Sequence, residues 1–267
     1  MFEFKLQLGC LVVVLYFIIF YVRDTSRQGY NCNKYFDALL IVAPWSLVFD
    51  GATAWSVNHL DIVSESVNLF LHALFILLTN AVSIIVYQYT FTQTIGKVSK
   101  RMRSIFFYPG IISEILILVF IKKLYYVQGT ISNYSFGIPA YICFGSMIFH
   151  SLISIIILLV YRRTVEKDNM RSILFFYSVV LIGLVAQVIN PELLLSALLP
   201  TLSVMGIYIT FENPSIKYMQ EYNEEMIAGF ATLVENRDDN TGGHIDRSRG
   251  YVKIFLNELK CTSGDIL

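Results

Sequence analysis

The sequence has little charge and few residues that interrupt helices. Only 15% of its 267 residues are Asp, Glu, Lys or Arg, and only 6 are proline. Acidic and basic residues balance at 20 each, so net charge does not point to a nucleic-acid partner or an acidic substrate. The four cysteines, Cys10, Cys32, Cys143 and Cys261, lie far apart. Their spacing suggests neither a disulfide framework nor a CxxC metal site.

Long apolar runs dominate the sequence. Hydrophobic residues make up 55% of the chain and the mean hydropathy is +0.60, which is too apolar for an ordinary soluble domain. A helix needs about 20 mostly apolar residues to cross roughly 30 Å of hydrocarbon. Seven runs approach this length: 6–22, 36–57, 67–89, 105–121, 138–161, 172–188 and 193–211. We therefore expect an all-α membrane protein whose residues 1–211 form a bundle of seven transmembrane helices.

Four of these runs need a closer reading. The first could be a signal peptide, but it ends in the bulky residues Phe20, Tyr21 and Val22 without a small-x-small cleavage site, which favours an uncleaved helix. Asp37 and Asp50 interrupt the second run. The last two runs are separated by a short turn at 190–192, which predicts a tight helical hairpin.

The basic residues predict the orientation in the membrane. The segments 23–34, 97–103 and 162–171 hold 11 Lys and Arg residues, whereas the alternate segments hold three, Lys5, Lys122 and Lys123, and none in 58–66 or 190–192. Because Lys and Arg are retained on the cytoplasmic side, this alternation places the N-terminus outside the cell membrane and the C-terminus in the cytoplasm. The alternation also favours seven crossings over six.

Several polar residues lie inside the apolar runs. Ionisable groups in hydrocarbon cost several kcal/mol unless they face the bundle interior, so each is a candidate functional residue. Glu114 lies near mid-depth just after Pro109 and Gly110. The other candidates are Asp50, His72, Asn80, His150 and Gln187. They form either a pocket for an unknown small ligand or proton, or a set of hydrogen bonds between helices.

The composition changes after Phe211, where residues 212–237 predict a cytoplasmic connector helix. Pro214 suits a helix start, and Ile216, Met219, Tyr222 and Met226 begin an apolar series at steps of three or four. Two interpretations remain open for 215–236. The helix either pairs with a second copy in a homodimer or packs on its own domain.

Residues 238–267 contain the motif Thr241-Gly242-Gly243-His244 followed by Arg247. With Glu235, Asn236, Arg237 and Asp238 before it, this segment resembles the opening of an HD-GYP domain, the bacterial metal-dependent phosphodiesterase that hydrolyses cyclic di-GMP. The apolar region ending in Glu212-Asn213-Pro214 is similar to the seven-helix sensor region found before histidine kinase and cyclic di-GMP output domains.

The resemblance implies a metal role for His244. In the family, this histidine binds a divalent metal, iron or manganese, together with a later His-Asp pair and further ligands. The sequence has four histidines, and His59, His72 and His150 belong to the apolar region. Little sequence follows His244, so we expect an incomplete helical domain that holds no complete catalytic site and no metal by itself. A third-metal ligand is not expected either, since its position is Asn240.

Two functions therefore remain in view. The first is a signal-sensing membrane protein of the HD-GYP family, present as a fragment that lacks most of the catalytic domain and is inactive on its own. The second is a stand-alone seven-helix receptor or interaction protein with a dimerising tail.

Overall fold

A computed structural model gives the fold. It describes residues 4–28, 33–95, 100–130, 132–162 and 167–236, together with 247–248, 250–252 and 254. Eight long α-helices form in the described ranges: α1 Lys5–Gln28, α2 Lys34–Val57, α3 Glu65–Ile95, α4 Lys100–Phe120, α5 Ile138–Val160, α6 Lys167–Ile189, α7 Leu198–Ile207 and α8 Pro214–Asn236. The helical class expected from the sequence is confirmed.

The first seven helices pack into one bundle. The helix α3 contacts α2, α4, α5 and α7, while α1 and α7 pack on α2 and α6 packs on α5 and α7. One apolar cluster at the centre joins α1, α2, α3 and α7 through Val14, Leu39, Ala43, Val82 and Val204. A second apolar cluster, which includes Ile117, Met147 and Val180, joins α4, α5 and α6.

The bundle has an apolar outer surface and many polar groups inside. Large apolar side chains such as Ile19, Ile41 and Ile189 are exposed, whereas Asn68, His72, Asn80, His150 and other polar side chains are buried. This distribution suits a lipid environment, in which exposed apolar surface is not penalised and polar side chains bond between helices. The protein is therefore an all-α, multi-pass membrane protein.

Six helical segments within the described ranges are long and apolar enough to cross a membrane: Lys5–Arg23, Lys34–Val57, Glu65–Thr94, Ile138–Val160, Met170–Ile189 and Leu195–Glu212. They coincide with six of the seven predicted runs. The remaining run falls on α4, so the seventh crossing stays a prediction, as does the orientation of the bundle.

A two-stranded antiparallel hairpin, which the sequence analysis did not predict, connects α4 to α5. Its strands are β1 Leu124–Val127 and β2 Tyr134–Gly137, and Leu124 pairs with Gly137 at its base. A single 3-10 turn, Ile121–Lys123, leads from α4 into β1. We call residues 124–137 the hairpin and the end of the bundle where it lies the hairpin end.

The last predicted run is more broken than a single helix. Two 3-10 turns, Pro191–Leu193 and Leu195–Ala197, precede α7, and a π-helical segment, Tyr208–Glu212, follows it. Leu194 between the two turns has a left-handed φ of 48°. Pro200 lies in the first turn of α7, where its missing N–H has no helical partner to lose.

The predicted connector is the helix α8, which contacts α1. Apolar side chains at its predicted spacing, including Met219, Tyr222, Met226, Phe230 and Leu233, are all exposed in the single chain. The described part of the chain therefore leaves this apolar face of α8 uncovered. Pairing of α8 with a second copy stays a prediction.

Candidate functional site

A cavity of about 340 Å³ lies at the hairpin end, between α2, α3, α5, α6 and α7. Its walls are mostly apolar, with Phe75, Phe144, Met147 and Leu199 among the lining residues. The hairpin closes it on one side through residues 133–136, and the turns before α7 close it through residues 194–196. This volume lies at the lower end of the range for small-molecule sites, which are typically about 300–1,000 Å³.

The pairing of α2 with α3 places Asp50 and His72 at similar depths in this cavity. Near the hairpin end, the Ser56 hydroxyl donates to Asn68 Oδ1 at 2.6 Å and fixes the register of the two helices. From that contact, Asp50 lies about 9 Å and His72 about 6 Å further into the bundle, at about 1.5 Å per residue. Both residues line the cavity. The structure thus brings together two of the four membrane residues predicted for a pocket.

Asp50 is a buried carboxyl group, with only 4% of the residue exposed. Ser196, in the second turn before α7, donates its hydroxyl to Asp50 Oδ2 at 2.9 Å. A carboxylate can accept about four hydrogen bonds, so the Ser196 bond leaves acceptor capacity. Asp50 therefore connects α2 to the start of α7 and offers an acceptor to the cavity.

His72 has its tautomer set by the backbone. Its Nδ1 lies 2.9 Å from the carbonyl oxygen of Asn68, and a carbonyl can only accept, so Nδ1 carries the proton. In the neutral ring, Nε2 is then a hydrogen-bond acceptor. The Tyr126 ring of β1 packs edge-on against the His72 ring at 5.4 Å between centroids. Burial, and then the nearby Glu65 carboxylate, raises the pKa of Tyr126, so a neutral phenol ring covers His72.

Glu192 holds the hairpin against the turns that precede α7. The Thr130 N–H donates to Glu192 Oε1 at 3.2 Å, and the Thr130 hydroxyl donates to Oε2 at 3.0 Å. Ser132 donates its hydroxyl to the Glu192 carbonyl at 3.1 Å. Gly137 ends β2 at φ 133°, a conformation that favours glycine, and a Cβ there would lie 2.4 Å from the Lys123 carbonyl oxygen. The cavity is thus closed by a braced hairpin.

Glu114 and His150, the other two predicted pocket residues, belong to a separate buried polar chain. The Asn80 amide donates to Glu114 Oε1 at 3.0 Å and to Ser113 Oγ at 2.8 Å. Ser146 donates to Ser113 Oγ at 3.1 Å and lies 3.3 Å from His150 Nδ1. Neither Glu114 nor His150 is among the residues that line the cavity at the hairpin end. Their hydrogen bonds join α3, α4 and α5.

The polar chain ends at a much smaller cavity of about 10 Å³ beside His150, Tyr87 and Tyr177. His150 Nδ1 lies 2.8 Å from the Ser146 carbonyl, so it carries the ring proton. Within the described part of the chain, His150 Nε2 and the Tyr87 hydroxyl are buried without hydrogen-bond partners. A space of this size holds about one water molecule, which suits two polar groups that face it.

Gln187 braces the connection between α6 and α7. Its Nε2 donates to the Pro191 carbonyl at 3.0 Å, and its Oε1 accepts the Leu195 N–H. Asn80, as described above, connects α3 to α4. Asn80 therefore has the second of the two roles that the sequence left open, whereas Gln187 makes such bonds and also lines the cavity at the hairpin end.

A buried hydrogen bond marks the opposite end of the bundle, where α7 gives way to α8. The Tyr89 hydroxyl donates to Glu212 Oε1 at 2.6 Å, and Gln93 Nε2 donates to the same hydroxyl at 3.1 Å. Tyr89 and Glu212 are 1% and 3% exposed. This bond ties α3 to the last residue of the π-helical segment.

Most of the HD-GYP-like motif lies outside the described residues, including Thr241, Gly242, Gly243 and the metal-ligand position His244. Arg247 is helical and exposed. Within the described ranges, no three His, Cys, Asp or Glu side chains converge as a metal site. The fit of a divalent metal to His244 therefore remains a prediction from the sequence.

Comparisons with models of known protein families, with curated proteins and with solved structures gave no match to the chain. The functional argument consequently depends on the geometry of the cavity and of the elements around it.

Proposed function

We propose that the protein is a membrane signal-sensing protein whose bundle binds a small ligand in the cavity at the hairpin end. The observation that supports this is the cavity itself, in which Asp50 and His72 interrupt an otherwise largely apolar wall. Small-molecule sites are usually apolar cavities with a small number of polar groups, which select and orient the ligand. The alternation of basic segments along the sequence supports an orientation in which the hairpin end lies outside the cell.

The helix α7 supplies a route from the cavity to the cytoplasm. It contributes Leu198, Leu199 and Leu202 to the cavity wall, and the chain continues through the π-helical segment into α8. A ligand that contacts α7, or displaces Ser196 from Asp50, therefore acts on an element that leads directly to α8. Ligand binding shifts the position of α7 only to the extent that it favours one arrangement over another.

The tail after the bundle would carry the response to the ligand. The motif at 241–247 supports an HD-GYP output, with the sensor region acting on a cyclic di-GMP phosphodiesterase domain of which this chain contains the opening segment. The exposed apolar face of α8 supports a second candidate, a stand-alone receptor whose tail forms a homodimer. Ligand sensing by the bundle is common to both.

A glycine in the cavity wall allows a direct test. Gly183 of α6 lines the cavity, and a Cβ added to it meets no atom within 4 Å. The Cβ of the variant G183L should therefore fit without a clash, and the rest of its side chain should take up cavity space. Gly145 of α5 also has nothing within 4 Å, does not appear in the cavity wall and is exposed, so G145L is the matched control.

The readout is alkylation of Cys143, a buried free cysteine in the cavity wall, by N-ethylmaleimide in lipid nanodiscs. Peptide mass spectrometry distinguishes Cys143 from the other cysteines. We expect alkylation in the wild type and in G145L, and at least about fivefold slower alkylation in G183L, since the leucine occupies the space that the reagent must enter. Equal rates in the two variants would contradict a cavity that admits small molecules.

A further inference from the structure

The cavity at the hairpin end offers a ligand hydrogen-bond acceptors and one ionisable carboxyl group. Among the described residues that line it, Asp50 is the one carboxyl group and none is Lys or Arg. Ser196 is a neutral partner for Asp50. An ionised carboxylate in a low-dielectric interior is costly until a cation pairs with it, because protein groups replace its water only in part.

His72, another polar residue of the wall, has the same preference. The bond from His72 Nδ1 to the Asn68 carbonyl leaves Nε2 as the acceptor, so a ligand that reaches both Asp50 and His72 must present donors. Aromatic rings at Phe75, Phe136 and Phe144 line the remaining wall and favour an apolar body or a ring. Aromatic faces also attract a cation.

The wall on α6 reaches the outside of the bundle. Ile182 lines the cavity and is nevertheless 70% exposed on the outer apolar surface. Beside it, Gly183 leaves open space where a side chain would otherwise stand. A ligand with an apolar body, which concentrates at the membrane surface, can therefore reach the cavity along α6.

We infer that the cavity binds an amphipathic amine, that is, a ligand with a protonated amino group for Asp50 and an apolar body for the aromatic wall. This inference rests on the proposed ligand-sensing function and names the chemical class of the ligand. The ammonium group supplies the positive charge that the described lining residues lack and donors for Asp50 and His72, and the apolar body fills a space that the side chains of α3, α5 and α6 leave open.

Three ligands of matched size test the inference: 4-phenylbutylamine, 4-phenylbutanol and 4-phenylbutanoate. They differ mainly in the charge and donors of one end. Binding is measured by titration of the wild-type protein in nanodiscs, with G183L nanodiscs of the same lipid composition subtracting partition into the bilayer. We expect the amine to bind about tenfold or more tightly than the alcohol, since a charge-assisted hydrogen bond is roughly twice as strong as a neutral one, and the carboxylate to bind least.

The variant D50N removes the charge and keeps the size and one acceptor oxygen. It should abolish the preference for the amine over the alcohol. The matched control is D37N, since Asp37 lies on the same helix, accepts from Tyr21 at 3.2 Å and does not appear in the cavity wall. D37N should keep the preference.

The outcomes separate the inference from the function on which it rests. Equal binding of amine and alcohol by the wild type, or an amine preference that survives in D50N, overturns the amine assignment while small-molecule binding stands. Failure of all three ligands to bind overturns the amine assignment, and unhindered alkylation of Cys143 in G183L overturns the ligand cavity itself. The order of the three ligands on the wild type is decisive even where D50N fails to fold.

Discussion

The substitution Tyr89→Phe tests the junction between the bundle and α8. The hydroxyl that it removes donates to Glu212 at 2.6 Å in a site where both residues are buried. A hydrogen bond to a charged group contributes about 1.5–3 kcal/mol, and the bond from Gln93 to the same hydroxyl adds about 0.5–1.5 kcal/mol. We expect Y89F to lower the free energy of unfolding by about 2–3 kcal/mol, because the phenyl ring preserves the packing and only the bonds are lost.

For a bundle of this size, such a loss corresponds to a decrease in Tm of roughly 4–12 °C. Thermal unfolding in nanodiscs, followed by intrinsic fluorescence at one fixed scan rate, measures it. The matched control is Y16F, because Tyr16 is 53% exposed on the apolar outer surface. A Y89F protein that melts within about 1 °C of Y16F would refute the assignment of a strong buried bond at this junction.

Three further predictions concern the hairpin, the connector helix and the tail. Glu192→Ala removes both bonds to Thr130, which contribute about 1–2 kcal/mol at a half-exposed site. Amide hydrogen exchange in residues 124–137, measured by mass spectrometry, should become about 5–30-fold faster while exchange in α5 is unchanged. Unchanged exchange in the hairpin would argue against its bracing by Glu192. Phe230→Glu places a charge on the apolar face of α8 and should reduce chemical cross-linking between copies of the chain. Thr232→Glu, at a position that lies outside this face, should not reduce it. Equal cross-linking of the two variants would count against the homodimer. The purified chain with iron or manganese should release no linear dinucleotide from cyclic di-GMP, and measurable hydrolysis would disprove the predicted inactivity.

The helices were largely predictable because their signals are local. An apolar run long enough to cross a membrane must satisfy its backbone within itself, so hydropathy alone indicates a helix. The end of α2 at Val57 and the start of α5 at Ile138 coincide with the predicted limits, and Pro139 in the first turn of α5 marks that start in the sequence.

The hairpin and the interrupted last span were not predictable in the same way. Two short strands are marginally stable alone, and these depend on packing against the bundle and on Glu192, which is distant in sequence. The turns before α7 depend on the Gln187 side chain, which bonds the Leu195 N–H and the Pro191 carbonyl. No local pattern indicates such partners.

The site was predictable in its residue types and not in its grouping. Asp50 and His72 stood out because an ionisable residue in an apolar run must face the interior. Their shared cavity depends on the register set by Ser56 and Asn68, whereas Glu114 and His150 face other neighbours. Ser196 and Tyr126 carried no sequence signal, since a serine within a predicted transmembrane run and a tyrosine in a loop are ordinary.

The π-helical segment at Tyr208–Glu212 has a geometric consequence for the output. A π turn takes up about one residue more than an α turn, and one residue of α-helix corresponds to about 100° of rotation and 1.5 Å of rise. Rewinding this segment as α-helix would therefore rotate α8 by about 100° about its own axis while the bundle stayed in place. The apolar face of α8 would then point in a new direction, and the Tyr89–Glu212 bond would act as the latch that holds the present angle.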